Sequence, residues 1–200
     1  MNIDYLIESV KNNRTIIFDL DNTIFDENDF LSIAYKNISN ALFPQDAQFS
    51  YNFLIQEFHN AGRNSLFNKL LDKYPNYETT LEECLHQLRN TCCKNCVDPY
   101  DWFKKFVNDA QSSNWKLKII TNGNPQQQMN KLKSLNLSFV ANSVEVIYAN
   151  EHKPKPMIDS YLKLSNVEKF IEPIYVGDSL LDQEFSQNCK IEFFDVNLIK

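Results

Sequence analysis

Glycine, clustered basic residues and long apolar runs are all scarce in this sequence. Only three of the 200 residues are glycine, and two of them, Gly123 and Gly177, follow short apolar segments. Glycine permits positive φ angles and close backbone approach, so its use at these two places indicates backbone shaped around a ligand. The 20 lysines and arginines are scattered and are outnumbered by 26 acidic residues, for a net charge of −6. This balance argues against a nucleic-acid partner, since phosphate backbones are bound by clustered Lys and Arg.

A leading apolar segment is also missing. Residues 1–14 contain Asp4 and Glu8 and lack the apolar run of a signal peptide or membrane span. We therefore expect a cytoplasmic protein with no membrane partner, acting as a monomer or a homodimer. The apolar fraction of 43% and the aromatic fraction of 13% are sufficient for a folded core.

The five cysteines, an odd number, fit a reducing compartment. Four of them, Cys84, Cys92, Cys93 and Cys96, lie close together in the sequence with His86 among them. The Cys-x-x-Cys spacing is that of a zinc ligand pair, but the chain has no second such pair. Free thiols are therefore the favoured interpretation, and a zinc site is the alternative.

Hydrophobic periodicity divides the chain into two parts. Residues 27–112 repeat apolar side chains at helical spacing and contain no convincing strand, whereas strand-like and helix-like segments alternate from residue 116 onward. Such alternation predicts an α/β fold with a parallel sheet, and ligands then collect at the carboxyl ends of its strands. The predicted strands and helices are, approximately, strands 15–19, 117–121, 144–148, 174–177 and 191–194 and helices 3–11, 101–113, 125–135, 156–164 and 179–188.

Four polar segments follow or adjoin these predicted strands. The first contains Asp19 and Asp21, two carboxylates at i and i+2 that point the same way. Such a pair can hold a divalent cation and still offer one oxygen as a nucleophile. The second segment is Thr121-Asn122-Gly123, the third presents Lys153 before a proline, and the fourth runs from Gly177-Asp178 to Asp182.

In order and spacing, these segments resemble the four motifs of the haloacid dehalogenase superfamily of phosphohydrolases. Asp19, Asp21 and Thr23 match the first motif, Thr121 the second, Lys153 the third, and Gly177, Asp178 and Asp182 the fourth. The resemblance covers roughly residues 14–195. Gln183, Ser186 and Gln187 occupy a stretch where relatives often carry a second acid and a Gly-Ala pair, which makes Asp182 the better candidate for the supporting acid.

The resemblance also implies an architecture, that of subfamily I with a helical cap of the first type. Residues 1–24 and 101–200 would form a three-layer, Rossmann-like core with a parallel sheet. Residues 25–100 would form the inserted helical cap. A cap that covers the site favours a small phosphorylated metabolite over a phosphoprotein, because a closed lid excludes water and large chains alike.

The roles of the motif residues follow from the same resemblance. Asp19 would attack phosphorus, and Asp21 would protonate the leaving alcohol and then activate water. Thr121, the amide of Asn122 and the loop at Gly123 would bind phosphoryl oxygens, with Lys153 neutralising their charge. Mg²⁺ would be held by Asp19, Asp21 (through its backbone carbonyl) and Asp178, and Asp182 would support the metal site or orient Lys153.

Three alternatives remain beside a Mg²⁺-dependent phosphatase. A haloacid dehalogenase of this fold needs no metal and lacks an acid at the position of Asp21. A sugar phosphomutase of this fold carries a cap histidine ten residues after the second aspartate, where this chain has Leu31. The third alternative is a metabolite-binding protein without turnover. Within the cap, Arg63 is the candidate for binding the distal end of the substrate, since it could pair a carboxylate or second phosphate.

Overall fold

The centre of the molecule is a five-stranded parallel sheet. The computed structural model describes residues 2–110, 116–137 and 144–199. Within these residues the sheet order is β3-β2-β1-β4-β5, so the first strand in the sequence is central in space. All four neighbouring pairs run parallel, as the strand–helix alternation predicts. The strands are β1 (Ile16–Phe18), β2 (Leu117–Thr121), β3 (Val144–Tyr148), β4 (Ile174–Gly177) and β5 (Glu192–Asp195).

Helices cover both faces of this sheet, which confirms the predicted three-layer α/β core. Successive residues of β1 point to opposite faces, so Phe18 and Ile17 belong to two separate apolar clusters. Helices α1 and α6 pack together beside the first cluster, where Phe103 and Phe106 lie edge-on to Phe18. Helix α8 packs on the other side, where Phe185 contacts Tyr175 of β4. The core helices are α1 (Ile3–Lys11), α6 (Asp101–Ala110), α7 (Pro125–Ser134) and α8 (Leu180–Cys189).

A helical insert lies between β1 and β2, inside the range predicted for the cap. Leu31 and Ile38, on the first helix of the insert, belong to the same buried apolar cluster as Phe18 of the core. One of its helices begins with a capping box, in which Thr80 and Glu83 bond each other's backbone N–H. The insert helices are α2 (Glu27–Leu42), α3 (Ala47–Ala61), α4 (Leu66–Lys73) and α5 (Leu81–Asn90).

The segment 156–164 differs from the prediction of a helix. Only a 3-10 turn forms there, at Tyr161–Lys163, and most of its backbone bonds join residues three apart. Tyr161 and Leu164 pack into the second apolar cluster, and so short a segment gains little from a full α-helix. The helix predicted at 101–113 is present as α6, and residues 111–113 lie outside the described residues. No described helix combines the length and the apolar character needed to cross a membrane.

Candidate active site

The carboxyl ends of β1, β2 and β4 bring the polar segments together. Asp19 directly follows β1, Thr121 ends β2 and Gly177 ends β4. Because the strands are parallel and adjacent, these ends share one edge of the sheet. Carboxylate oxygens of Asp19, Asp178 and Asp182 all lie within 4.8 Å of one another. Two of these three side chains, Asp19 and Asp182, are buried.

The lysine at this cluster is Lys155, not the predicted Lys153. The Lys155 ammonium is buried and donates to Asp19 Oδ1 at 2.6 Å, to Asp182 Oδ1 at 2.6 Å and to the Tyr175 hydroxyl at 2.9 Å. The Lys153 side chain is 66% exposed, and its ammonium lies 3.2 Å from Asp159. Lys153 therefore does not contact the carboxylates in this structure, and the prediction that placed it there is corrected to Lys155.

The backbone of Lys155 is held by Asn122, which explains why this lysine turns inward. The Asn122 side chain accepts from the Lys155 N–H at 2.9 Å and donates to the Lys155 carbonyl at 3.2 Å. Tyr175 completes the setting, since its hydroxyl donates to the Ile120 carbonyl at 3.0 Å while accepting from Lys155. The amide of Asn122 was predicted to bind phosphoryl oxygens, which stays a prediction, and the Asn122 side chain fixes the loop that carries the lysine.

Burial and charge act in opposite directions on this cluster. The pKa of Asp19 is raised to about 7, chiefly by burial; Lys155 opposes this shift, and the neighbouring carboxylates of Asp182 and Asp21 add to it. Burial lowers the pKa of Lys155, but its two carboxylate partners outweigh that effect and the net shift is upward. Burial raises the pKa of Tyr175 well above its usual value, so its hydroxyl remains a donor.

Asp182 has two structural tasks besides its ion pair. Its Oδ2 accepts from the Ser179 hydroxyl at 2.6 Å and forms a capping box that begins α8. Its position requires a glycine at 177, because a Cβ built there would lie only 2.5 Å from Asp182 Cβ. Asp182 therefore holds Lys155, and not the Lys153 that it was predicted to orient, with a carboxylate packed against the end of β4.

Asp21 lies beside the cluster and is bonded by two residues of α7. Gln128 donates from Nε2 to Asp21 Oδ2 at 2.8 Å and to the hydroxyl of Thr121 at 2.7 Å. The Lys131 ammonium donates to Asp21 Oδ1 at 2.8 Å and to Oδ2 at 2.7 Å. Thr121 is buried. The predicted acid/base and the predicted phosphate-binding hydroxyl are thus linked through one glutamine.

Gly123 occupies a backbone conformation that other residues rarely adopt. Its φ angle is +116°, and a Cβ added there would lie 3.3 Å from the Gln128 side chain. The N–H of Gly123 donates to Asn150 Oδ1 at 2.9 Å. The glycine therefore allows the loop after β2 to turn closely over Gln128, although its own N–H is already bonded within the protein.

The oxygen cluster fits a hard divalent cation. Within residues 2–110, 116–137 and 144–199, Asp19, Asp178 and Asp182 form the group of His, Cys, Asp or Glu side chains close enough to hold a metal ion. All donors are carboxylate oxygens, which Mg²⁺ prefers. Both carboxylate oxygens of Asp182 are already bonded, Oδ1 by Lys155 and Oδ2 by Ser179, so Asp182 is the weakest ligand of the three. Asp21 was predicted to be the third ligand through its backbone carbonyl, which stays a prediction, and its carboxylate is bonded by α7.

A family model decides where this chain belongs. The model for haloacid dehalogenase-like hydrolases matches residues 16–196, nearly the whole described core and insert. The chain belongs to the haloacid dehalogenase-like hydrolases. No curated protein sequence matches it. The resemblance identified from the motifs is therefore confirmed at the level of the family.

Solved structures show the same fold at low sequence identity. A protein from Thermotoga maritima assigned as a beta-phosphoglucomutase has a TM-score of 0.60 and 17% identity, with 91% of this chain and 84% of that one covered. YfnB from Bacillus subtilis, a hydrolase bound to magnesium, has a TM-score of 0.56 and 20% identity, with coverage of 90% and 86%. A dehalogenase has a TM-score of 0.51 and 14% identity, with coverage of 92% and 84%.

In this haloacid dehalogenase-like hydrolase, Arg63 lies in the insert between α3 and α4. Its guanidinium bonds Glu27, at the start of α2, and its side chain is 60% exposed. Arg63 also lines a cavity of about 180 Å³ whose other walls are mostly apolar, formed by Leu31, Tyr35, Leu66, Phe67, Leu85, Leu88 and Gln127. The arginine that was predicted to bind substrate therefore has a protein partner already, at the edge of an apolar space.

The four cysteines that lie close together in the sequence do not form one common site among the described residues. The sulfurs of Cys93 and Cys96 are joined, whereas Cys84 is buried elsewhere and Cys92 is exposed. The expectation of free thiols is correct for Cys84 and Cys92 and wrong for the joined pair. The alternative of a zinc site draws no support, because the metal-ligand group found among the described residues contains only aspartates.

Sequence reasoning missed several residues that complete the site. Lys155 escaped notice because Lys153 also precedes a proline and matches the same motif. Gln128 and Lys131 are three residues apart on α7, so they share a face, and both are buried. Sequence periodicity shows that these polar residues share one face of the helix after Thr121. It does not show whether that face is buried or exposed. Tyr175 was assigned only to a strand.

Proposed function

We propose that this hydrolase is a Mg²⁺-dependent phosphatase that cleaves small phosphate monoesters through an aspartyl-phosphate. The observation that carries the proposal is the pairing of Asp19, bonded by Lys155 within a carboxylate cluster, with Asp21 two residues later. The first aspartate supplies a nucleophile, and the second supplies an acid and base that ester cleavage needs. Cytoplasmic location and a small metabolite as substrate belong to the same proposal.

Each step of the proposed reaction is assigned to a named residue of the site. An Asp19 oxygen attacks phosphorus as the bond to the leaving oxygen breaks, and Asp21 gives its proton to that oxygen. Asp21 then takes a proton from water, which attacks the phosphorus of the aspartyl-phosphate and returns Asp19 to a carboxylate. Lys155 bonds the nucleophile Asp19, and the Thr121 hydroxyl shares the Gln128 amide with Asp21; both groups would bond phosphoryl oxygens.

Charge explains why a metal is part of the proposal. Asp19, Asp178 and Asp182 lie together, and an incoming phosphate ester adds about −1.5 to −2 more charge. Unit charges a few Å apart repel by several kcal/mol at intermediate dielectric, and Lys155 offsets only part of this repulsion. Mg²⁺ held by Asp19 and Asp178 would supply the remaining positive charge for binding the ester. Lys155 would remain the fixed cation of the site.

The alternatives are less well supported by the site. A dehalogenase does not need an acid at position 21, yet Asp21 is bonded by two buried residues of α7. A phosphomutase of this fold would carry a histidine at position 31, where Leu31 instead lines the apolar cavity. Binding without turnover would leave the Asp19–Asp21 pair with no chemical task. The ester assay below tests the binding-protein alternative directly.

Hydrolysis of p-nitrophenyl phosphate is expected to require Mg²⁺. Excess EDTA should lower the rate to background and added Mg²⁺ should restore it, because the acidic cluster repels the ester without a cation. Release of p-nitrophenol measures the rate, and a panel of metabolite phosphates extends it. Equal turnover with and without EDTA would contradict the role of the metal. A protein that binds phosphate esters but turns over none of them would support the binding-protein alternative.

Asp178→Asn should weaken Mg²⁺ binding by at least about 10–100-fold, because losing a ligand carboxylate should cost no less than losing a residue that only supports a ligand. Its carboxylate belongs to the acidic group, whereas its backbone carbonyl, which accepts from Asn197 at 2.7 Å, is unchanged by the substitution. Titration calorimetry with Mg²⁺ alone measures the affinity. Glu184→Gln is the matched control, since Glu184 is exposed on the neighbouring helix α8 and should leave the affinity unchanged. Unaltered binding by Asp178→Asn would remove this residue from the metal site.

A further inference from the structure

A lysine in the interior has three carboxylate contacts and no role in the steps above. The Lys131 side chain is 2% exposed. Its ammonium donates to both oxygens of Asp21, at 2.8 and 2.7 Å, and to Glu27 Oε1 at 2.5 Å. Three N–H groups are all that a lysine has, so each is directed at a carboxylate oxygen.

Stability alone explains this arrangement poorly. Burying an ammonium and two carboxylates costs desolvation that their attraction often fails to exceed, and apolar residues of similar volume frequently serve a fold as well. An apolar residue of similar length could occupy position 131 on α7. Its side chain would pack near the Phe30 ring, whose centre lies 5.7 Å from the Lys131 ammonium. A charged residue at position 131 is better explained by its hydrogen bonds to the Asp21 carboxylate.

The contacts continue from Lys131 into the helical insert. Glu27 is the first residue of α2, and its second carboxylate oxygen accepts from Arg63, which follows α3. The Glu27 N–H donates to Asn22 Oδ1 at 3.1 Å, so the start of α2 is also bonded to the loop that carries Asp21. The path Arg63–Glu27–Lys131–Asp21 joins the insert to the carboxylate that the mechanism needs.

We propose that Lys131 is a positioning residue that orients the Asp21 carboxylate for proton transfer, and that Glu27 in turn holds Lys131. This role rests on the proposed phosphatase function. An acid that protonates a leaving oxygen is effective only when its own oxygen is held within hydrogen-bond reach of it. Asp21 lies in the loop after β1 and is only partly buried. Lys131 fixes both of its oxygens, and Gln128 bonds one of them from the same helix.

The test compares two phosphate esters that differ in their need for an acid. The leaving group of p-nitrophenyl phosphate departs as a stable anion, whereas an alkyl phosphate such as glycerol phosphate releases an alkoxide that must be protonated. Lys131→Met should lower kcat/KM for glycerol phosphate by about 100–1000-fold, within the usual contribution of general acid catalysis. It should lower kcat/KM for p-nitrophenyl phosphate by less than about 10-fold, because formation of the phosphoenzyme from that ester needs little acid.

A second readout follows from the base role of Asp21. With Asp21 disoriented, hydrolysis of the aspartyl-phosphate should become slow, so p-nitrophenol should appear in a burst before the steady rate. Lys133→Met is the matched control, because Lys133 is exposed on the same helix. That variant should behave as the wild type on both esters. Glu27→Gln keeps the Lys131–Asp21 contacts but weakens the bond from Lys131 to residue 27. It should lower the ratio of kcat/KM for glycerol phosphate to kcat/KM for p-nitrophenyl phosphate by about 2–10-fold, in the same direction as Lys131→Met.

The outcomes separate the two proposals. Equal proportional losses on both esters by Lys131→Met, without a burst, would mean a merely structural role and overturn the positioning role alone. If Lys131→Met does not fold, as judged by its circular dichroism, an unchanged ester ratio in Glu27→Gln would overturn it instead. A folded wild-type protein that hydrolyses neither of these esters nor any ester of the metabolite panel would refute the proposed function, and the role of Lys131 with it.

Discussion

Asp19→Asn is expected to lower kcat by at least about a thousandfold while the protein keeps its fold. An amide has nearly the shape of the carboxylate but is a poor nucleophile, and loss of a covalent nucleophile is among the most damaging changes to an enzyme. Stability should change little, because the substitution removes one of several neighbouring carboxylates and leaves Lys155 bonded to Asp182. Initial rates and thermal unfolding, measured on the same preparation, check the two parts.

The assignment of Asp19 is tested further by trapping the intermediate. Acid quenching of the wild type during turnover of a radiolabelled ester should retain label on the protein, and Asp19→Asn should retain none. Asp72→Asn is the matched control, because it makes the same substitution at an exposed aspartate of α4 that has no part in the proposed reaction. It should keep both label and rate. Substantial activity in Asp19→Asn would show that another group attacks phosphorus.

The fold was largely predictable because its signals are local. The strands at 117–121, 144–148 and 174–177 have the predicted bounds, since each is a short run made mostly of apolar residues. Alternation with helices then implied the parallel order. The segment 156–164 was predicted wrongly as a helix, because its apolar residues have helical spacing but are drawn into the core through a 3-10 turn. Packing, not periodicity, decided that segment.

The carboxylates of the site were predictable for the same local reason. Asp19 and Asp178 immediately follow buried strands, so the sheet alone carries them to its edge. The contacts of Lys131 with Asp21 join residues 110 apart in sequence, and the local sequence around neither residue predicts that they pair. Long lysine side chains reach several Å from their backbone, so their direction depends on neighbours that sequence periodicity does not reveal.

Lys153 and Lys155 show this limit most clearly. Both precede a proline, and the two positions are only two residues apart. The bonds from the Asn122 side chain to the Lys155 backbone, at 2.9 and 3.2 Å, distinguish them. A contact of that kind depends on where the loop after β2 meets the loop after β3, and therefore on the finished fold. Comparing substitutions at the two lysines tests which one the chemistry uses.

Lys155→Met should lower kcat/KM for phosphate esters by about 100–10,000-fold, whereas Lys153→Met should stay within about twofold of the wild type. Methionine preserves most of the side-chain length but leaves Asp19 and Asp182 buried without their shared cation, which lay 2.6 Å from each. Removing one partner of a buried ion pair typically costs about 3–5 kcal/mol of stability, while loss of the exposed Lys153–Asp159 pair costs about 0–1 kcal/mol.

Assay and unfolding are measured together, so that a loss of fold in Lys155→Met is not mistaken for a loss of chemistry. If that variant does not fold, the double variant Lys155→Met, Asp182→Asn removes one of the two uncompensated carboxylates and should regain stability without regaining activity. That result is expected because Asp182 acts through the lysine, whereas Asp19 needs its cation to receive a phosphate dianion. Activity that falls in Lys153→Met and persists in folded Lys155→Met would reverse the assignment, and would require the loop at residues 152–156 to rearrange when substrate binds.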